Sequence, residues 1–546
     1  MKNNIQDVLN SIIKDALKEL LACEGPILEP NLDLPTGSSF GDLTTNLALR
    51  LCKSIKKSPR DTATLLVEAI NKHLQKNPSG KFIKEIKVEG VGFINFYLSE
   101  SFYYAKLQEL LIEGKTALKE DFGGSRPVLI EFVSANPTGS LSVAHARQAA
   151  VGDSLASIMN FLGFRAEREY YLNDEGNQIN ILGKSVELRM RELDGEKPEF
   201  PENYYQGDYI YDIAKEAKAK KIKTQDLGDF AAGIILDIIK KELADFGVQF
   251  DHWSSQKALT KSGKIEEAFK FLKSKGYLYE QEGATWFKST EFGDDKDRVV
   301  IKSDGSQTYL APDIAYHQEK FMRGFSWLIN LWGPDHHGYI NRLKASVEAF
   351  GHAPESLSII IVQLATIFRS GQIVQMSTRK GQYITLREVL DEVGRDAARF
   401  FFLMRRTSSH LDFDLEVAKK ESAENPIFYV QYAHARICSI LRSSPAAKEL
   451  KSVDFSLLKE KAEIELLKKI VQFSYTLHIC LSTLDPYMLT VYLQELAETF
   501  HKFYDQHRVL GEDAQLTKAR LALVEGTRVV LACGLELLGV SQPEKM

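Results

Sequence analysis

Four groups of polar residues in this 546-residue chain could do chemistry. The first starts in an apolar, strand-like run, Val128 to Val133, and holds Glu131, Ser134, Asn136, Thr138, Gly139, Ser142 and His145. Its small residues lead into a stretch, Val143 to Leu162, whose apolar spacing predicts an amphipathic helix. Strand, small-residue loop and helix make a phosphate-binding layout, because the free N–H groups and the positive dipole end of a helix's first turn face the anion. His145 falls in that first turn and adds a donor, and Gly139 lets the backbone approach closely. The second group is Tyr309 and Asp313, four residues apart and on one face if their segment is helical. The third, Gly333-Pro334-Asp335-His336-His337-Gly338, follows a strand-like run ending near Trp332. No metal site is expected there: adjacent side chains of an extended stretch point apart, and no third ligand is spaced nearby. The fourth, Gln375-Met376-Ser377-Thr378-Arg379-Lys380-Gly381, is a short basic loop. Singly, each group reads as a strand-end cap, an ion-pair partner or a solvated loop. In an open parallel sheet, however, ligands bind beyond the carboxyl ends of the strands, and these groups fall there together.

The elements that must position them follow from periodicity. Residues 1–115 are predicted to form an α+β domain, with helices at Ile5–Leu21, Leu43–Ser54 and Asp61–Leu74, then strand structure from Ile86 to Leu98. Leu118 to Arg126 reads as a linker. Residues 120–415 are predicted to be an α/β, Rossmann-like, doubly wound parallel-sheet domain. Its strand-like runs are Val128–Val133, Glu167–Leu172, Val299–Ile301, Trp327–Leu331 and Leu357–Gln363, separated by helical stretches. A helix-rich insertion is expected at about 184–291. Residues 416–546 show helical patterns only and predict an all-α bundle. Three domains also match a length prior of roughly 150 residues each.

Composition narrows the function classes. The chain is 44% hydrophobic and 26% charged, as in ordinary globular proteins. It has no apolar run of about 18 residues and no signal-peptide core at its start, so a cytoplasmic protein without a membrane span is expected. Cys23, Cys52, Cys438, Cys480 and Cys533 are far apart and form no Cys-x-x-Cys pair, which argues against structural zinc or a disulfide framework. A net charge of −5 excludes a uniformly basic nucleic-acid binder. Contact with RNA would need local patches such as Lys53, Lys56, Lys57 and Arg60, or Lys215, Lys218, Lys220, Lys221 and Lys223. Either patch alone reads first as a solvated helix face.

Taken in order, the motifs resemble those of class I aminoacyl-tRNA synthetases, and among these the arginyl-tRNA synthetases. Glu131-Phe132-Val133-Ser134-Ala135-Asn136-Pro137-Thr138-Gly139 resembles the entry to the family's His-Ile-Gly-His-type motif. Arg168 to Asp174, Ser303-Asp304-Gly305, Asp313 to His317 and Trp332 to Gly338 are similar to further family segments, and Gln375 to Gly381 to its Lys-Met-Ser-Lys-type loop. Asn425 to Arg436 resembles the start of the helical anticodon-binding domain, and Gly41-Asp42 with Gly90 to Phe96 the N-terminal tRNA-binding domain.

The resemblance implies an arginine–tRNA ligase working with ATP and Mg2+ on tRNA(Arg) and L-arginine. It also implies a monomer, and arginine activation that waits for tRNA. Thr138, Gly139, Ser142, His145, Gly333, Asp335, His336, Met376 and Ser377 would hold ATP. His145, Ser142, Ser377, Arg379 and Lys380 would stabilise the charge that develops on the phosphates. A guanidinium is planar, always charged and rich in donors, so it needs paired carboxylates. Glu131 and Asp313 would supply them, with Tyr309, Ser134, Asn136 and His337 around the substrate. Tyr429, Gln431, Tyr432 and Arg436 would stack on or bond anticodon bases.

Two departures stand out. Ser142 and Ala144 replace the His and Gly expected in the first motif, and Gln375 and Thr378 stand where the wider class has Lys. An alternative is therefore a non-catalytic tRNA- or arginine-binding relative with a decayed first ATP motif. A ligase using another acceptor is a third reading, which the RNA-binding terminal domains oppose.

Overall fold

The computed structural model describes residues 5–21, 28–35, 40–374, 383–450 and 452–546. The chain divides into two units, one of residues 1–120, 437–474 and 498–530, the other of 121–436, 475–497 and 531–546.

In the first unit, α1 (Ile5–Leu20) buries Leu9, Ile12, Ile13, Ala16 and Leu17, the helical spacing its sequence shows. β1 (Leu43–Thr45) precedes α2 (Leu47–Ile55) and α3 (Pro59–Lys76). Ser58 caps α3 by accepting the Asp61 N–H at 3.1 Å, with Pro59 at the first helical position. β2 (Ile83–Glu89) and β3 (Phe93–Leu98) follow as an antiparallel pair, and α4 spans Glu100–Glu113. The sheet order is β1-β3-β2. The helix predicted for Leu43–Ser54 is thus shorter than expected. Its first three residues, two of them threonines, pair with Phe96, Asn95 and Ile94 as a strand. The Thr45 hydroxyl then accepts the Leu47 N–H where α2 begins.

The second unit begins with β4 (Pro127–Glu131), α5 (Val143–Phe161), β5 (Arg165–Leu172), α6 (Asn177–Leu193), α7 (Asp208–Ala219) and α8 (Leu227–Asp245). β6 (His252–Ser255), α9 (Gln256–Lys261), α10 (Lys264–Ser274), β7 (Leu278–Gln281), β8 (Ala284–Phe287) and β9 (Arg298–Ile301) follow. Then come α11 (Leu310–Met322), β10 (Trp327–Trp332), α12 (Ile340–Ala349), β11 (Leu357–Ile361), β12 (Ala365–Arg369), β13 (Gln372–Ile373), α13 (Leu386–Leu403), β14 (Leu411–Asp414) and α14 (Leu415–Lys419). The remaining long helices are α15 (Pro426–Arg442), α16 (Lys461–Thr483), α17 (Tyr487–Gln506) and α18 (Ala514–Leu537), whose residues are shared between the two units. From Leu415 onward the described residues form helices and no strands.

The main sheet has the order β11-β10-β4-β5-β6, and every neighbouring pair is parallel. Counted along the chain this is 5-4-1-2-3, the doubly wound topology, with its switch point between β4 and β10. Val128, Leu129 and Ile130 are at most 1% exposed, which is why the central strand reads as a continuous apolar run. The α5 helix is more deeply buried than an amphipathic pattern implies, with 15 of its 19 residues inside. It can pack this closely because Gly152 faces Phe132: a Cβ there would lie 2.3 Å from the ring.

Three expectations change. Val299–Ile301 is not part of the parallel sheet; β9 pairs antiparallel with β8 in a separate β7-β8-β9 sheet. The stretch 184–291 is not purely an insertion, since β6 within it forms the edge of the main sheet. Its sequence, His252-Trp253-Ser254-Ser255, has too little apolar character to read as a strand. A small sheet, β13-β12-β14, also lies where no strands were expected; its members are short and partly exposed.

Candidate active site

Strand register gathers the site. Asn330 of β10 pairs with Glu131 of β4, Glu131 with Glu169 of β5, and Glu169 with His252 of β6. Side chains alternate along a strand, so this polar row shares one face, level with the carboxyl end of β4. The preceding row turns the other way, where Arg168 donates to Asp153 of α5 at 2.8 Å.

Helix α11 covers the polar row. Three of its side chains, Tyr316, His317 and Lys320, meet that row: Lys320 donates to Glu131, Tyr316 to Glu169, and Asn330 to His317 Nε2 at 2.8 Å. Arg323 adds a 2.5 Å bond to Glu169. Asp313, one turn before His317, accepts the Tyr339 hydroxyl at 2.6 Å. Burial raises the Asp313 carboxyl to about 6; the Tyr339 bond and Lys320 oppose this, and the Glu131 charge adds to it. Burial acts on Glu169 in the same sense, but Lys320, Arg323 and the Tyr316 hydroxyl outweigh it and hold that carboxyl below its ordinary value. His317 donates from Nδ1 to the Asp313 carbonyl at 2.8 Å, and burial lowers its pKa well below the ordinary range, keeping it neutral. Tyr171 stacks on Tyr316 with centroids 4.2 Å apart, and its buried hydroxyl has no hydrogen-bond partner among the described residues.

Predicted residues fall into place unevenly around this core. Glu131 and Asp313 are near enough for the Glu131 charge to raise the Asp313 carboxyl, while Lys320 opposes it and donates to Glu131. Ser134 is spent on the turn itself: its hydroxyl donates to Glu131 Oε1 at 3.2 Å and accepts the Tyr171 N–H at 3.1 Å. Val133 and Ser134 both have positive φ, 66° and 40°, so the strand bends sharply away after Glu131. Asn136 donates to Gln178 at the start of α6. Tyr309 precedes α11 and is 77% exposed, so it stands at the rim rather than beside Asp313 in the buried pocket. Asp335, His336 and His337 lie on an exposed 3-10 turn after β10.

The first-motif loop is pinned from two sides. Tyr209 of α7 donates to the Thr138 carbonyl at 2.7 Å and Tyr383 to the Ser140 carbonyl at 2.9 Å. Gly139 sits between both tyrosines; a Cβ would lie 3.3 Å and 3.4 Å from their hydroxyls. Ser142 bridges to Thr385, and Leu386 N–H donates to the Leu141 carbonyl at 2.7 Å. The basic loop, with Met376, Ser377, Arg379 and Lys380, lies outside the described residues, but the chain just after it is joined to the His145 loop. His145 Nδ1 accepts the Ser142 N–H at 3.1 Å, and the Ser142 hydroxyl lies 3.1 Å from the same nitrogen. That leaves the proton on Nε2. Burial depresses the imidazole to about 4, so His145 is a neutral donor. Ser142 is therefore a partner that orients His145 rather than an independent donor.

Two turns hold α5 from behind. Arg147, fully buried, donates to the carbonyls of Gln363, Ser409 and Arg406 at 2.7, 3.0 and 2.9 Å. Burial lowers its pKa to about 10. Arg399 ties Asp153 to the Leu538 carbonyl.

The predicted RNA-contacting residues divide. Tyr432 is half-exposed on α15, and Arg436 donates to its hydroxyl at 2.6 Å. Tyr429 is partly exposed on the same helix. Gln431 is a correction: it is 9% exposed, and its amide donates to Asp396 at 2.9 Å and to the Ser541 carbonyl at 3.0 Å, so it is committed inside the protein. In the second lysine patch Lys215, Lys218 and Lys220 pair with Asp212, Asp194 and Glu216, as a solvated helix face does.

Comparison with known proteins decides the family. Residues 106–438 match the family described as tRNA synthetases class I (R), catalytic domain. The chain belongs to the class I arginyl-tRNA synthetases. Residues 7–98 match the arginyl tRNA synthetase N terminal domain and residues 430–546 the DALR anticodon binding domain. The arginine–tRNA ligases of Citrifermentans bemidjiense and Syntrophotalea carbinolica are each 44% identical over 560 residues, covering 100% of both chains. A crystal structure titled a putative arginyl tRNA synthetase from Campylobacter jejuni is 35% identical with a TM-score of 0.76, covering 82% of this chain and 100% of that one. The Thermus thermophilus arginyl-tRNA synthetase, at 20% identity and TM-score 0.77 over 100% of both chains, shares the fold.

Lys320, Tyr316, Tyr339, Tyr171 and Glu169 join the buried polar cluster around Glu131 and Asp313 but were not predicted. A signal existed: Tyr316 and Lys320 lie three and seven residues after Asp313, on the same helical face. Tyr209 and Arg147 had none, since only tertiary structure brings them to their partners.

Proposed function

We propose that the chain charges tRNA(Arg) with arginine in two steps. A carboxylate oxygen of arginine attacks the α-phosphorus of ATP, the bond to the bridging oxygen breaks, and pyrophosphate leaves arginyl-adenylate. A ribose hydroxyl of the tRNA's terminal adenosine then attacks the arginyl carbonyl, and AMP leaves. The observation that carries arginine as substrate is the charge count of the buried pocket. Glu131, Glu169 and Asp313 face Lys320 and Arg323, which leaves one carboxylate without a cation. A planar guanidinium fills that deficit with several donors at once.

In this reading Glu131 and Asp313 accept the guanidinium and Tyr171 offers its unpartnered hydroxyl, while Tyr309 and His337 border the entrance. Ser134 shapes the turn, and Asn136 holds the amino-acid end. ATP lies along the first turn of α5, with Nε2 of His145 donating to phosphate and Thr138, Gly139 and Ser142 forming the cradle. Gly333, Asp335 and His336 close the adenosine side of the switch-point crevice. Ser377, Arg379, Lys380 and Met376 are assigned to the pyrophosphate leaving group, and the described chain after them is held at Tyr383 and Thr385. The catalytic work is positioning and electrostatic stabilisation. Magnesium would accompany the nucleotide and offset the charge of its phosphates. Among the described residues no group of three or more His, Cys, Asp or Glu is placed to hold a metal ion.

Residues 1–115 and 416–546 serve as the tRNA-binding and anticodon-binding domains flanking the catalytic residues 120–415. Tyr429, Tyr432 and Arg436 are the anticodon-side contacts. The enzyme is read as a cytoplasmic monomer that needs tRNA for activation; no helix among the described residues is long and apolar enough to cross a membrane. Charging of a tRNA(Arg) transcript with labelled arginine tests the reading. Arginyl-tRNA should form with arginine and not with lysine. Binding of tRNA without any charging would return the non-catalytic alternative.

A further inference from the structure

Lys320 is an anomaly in a pocket read as cation-binding. It is fully buried, lies in the pocket itself, and already donates to Oε2 of Glu131, one of the two carboxylates assigned to the substrate. Its ammonium also sits 4.1 Å from the centroid of the Tyr316 ring. The other Glu131 oxygen takes the Ser134 hydroxyl at 3.2 Å. Both oxygens are thus oriented by the protein before any substrate arrives, and each keeps an unused lone-pair direction.

We propose that Lys320 is a resident ammonium that fixes Glu131 and sets the pocket's selectivity for a guanidinium over an ammonium side chain. This rests on the arginine reading above. An ammonium is a compact point charge whose favourable place is beside a carboxylate, and Lys320 already fills that place at Glu131. A substrate lysine would bring a second ammonium against the first, in a buried site where like charges repel strongly. A guanidinium spreads its charge over a plane and carries five donors, so it can reach the remaining lone pairs of Glu131 and the Asp313 carboxylate together. Lys320 is therefore a positioning residue with a specificity role. It disfavours the commonest competing cationic amino acid by occupying the place beside Glu131 that an ammonium would take.

Two substitutions in the full-length enzyme test this, using arginine-dependent ATP–pyrophosphate exchange with tRNA present and lysine as a competing inhibitor. Lys320→Met keeps the apolar stem and removes the charge. Its arginine KM should rise and its lysine inhibition constant fall, so that selectivity drops about 10- to 100-fold, the worth of one hydrogen bond to a charged group. The KM for ATP should hold, which separates this outcome from general loss of structure. Unchanged selectivity, with kcat alone reduced, would overturn the proposal. If Lys320→Met does not fold, Lys320→Arg decides. A resident guanidinium would take both Glu131 oxygens, so the arginine KM should rise about tenfold or more with lysine no better bound. An unchanged arginine KM there would equally overturn it. Wild-type enzyme without arginine-dependent exchange would instead count against the functional reading itself.

Discussion

Tyr339→Phe offers a sharp test of how Asp313 is kept available for a guanidinium. Asp313 is held at about 6 although burial pushes it up, because the Tyr339 hydroxyl, 2.6 Å away, stabilises the ionised form. A hydrogen bond to a charged group is worth about 1.5–3 kcal/mol, and 1.36 kcal/mol is one pKa unit, so removing the hydroxyl should raise Asp313 by about one to two units. At pH 7 the ionised fraction then falls from about nine-tenths to between about one-half and one-tenth. The substrate binds the ionised form, so affinity is lost as pH falls through this pKa. The effect on folding has the opposite sign: a raised carboxyl favours the folded state most at low pH, and that contribution is lost as pH rises through 6. The assay is kcat/KM for arginine against pH, which reports groups of the free enzyme. Wild type should show an acid limb near 6, and Tyr339→Phe a limb one to two units higher. Activity at pH 7 should fall about two- to tenfold and recover near pH 9. His145 does not confuse the reading, since its imidazole is depressed to about 4. Glu131, Lys320 and Tyr171 also face Asp313 and are unchanged in the variant. An equal loss at every pH, or a limb that does not move, would refute this account of Asp313.

Six other substitutions probe the surroundings. Ser142→Ala should cost less than about tenfold in kcat, because the backbone N–H still orients His145, whereas His145→Ala removes the aimed donor and should cost about 10²–10³, both read by pre-steady-state adenylate formation. Gly139→Ala places a methyl against the Tyr209 and Tyr383 hydroxyls, and the KM for ATP should rise while that for arginine holds. Arg147→Met leaves several buried carbonyls without a donor and should lower stability by at least about 3 kcal/mol in thermal melts. Gln431→Ala should lower the melting temperature without raising the KM for tRNA, while Arg436→Ala raises that KM; the reverse pattern would restore Gln431 as an RNA contact.

Much of this architecture is legible in the chain, for definite reasons. The central strand Val128–Ile130 is apolar on both faces, and the helix after it is rich in small and apolar residues, so both were found close to their observed ends. Strand β6 was missed because an edge strand needs little apolar character, and β9 was misassigned because a three-residue apolar run does not say which sheet it joins. The site shows the same division. Glu131, Asp313 and His145 stand at strand ends and in first helical turns, positions that sequence marks. Lys320 reads locally as one more charge on a helix, and only the register of β4 against β10, with α11 laid across them, turns it into the partner of Glu131. Ser142 illustrates the limit from the other side: its departure from the family pattern suggested a weakened donor, yet in the fold it orients the imidazole three residues on.

The most direct test of the central claim is arginine-dependent ATP–pyrophosphate exchange, measured with and without tRNA(Arg) and with lysine as the control amino acid. The account predicts exchange with arginine when tRNA is present, little without it, and about 10⁴-fold less with lysine, the discrimination expected when buried hydrogen-bonding groups would be left unpaired. Absence of exchange under both conditions, with tRNA still bound, or equal exchange with lysine, would contradict it.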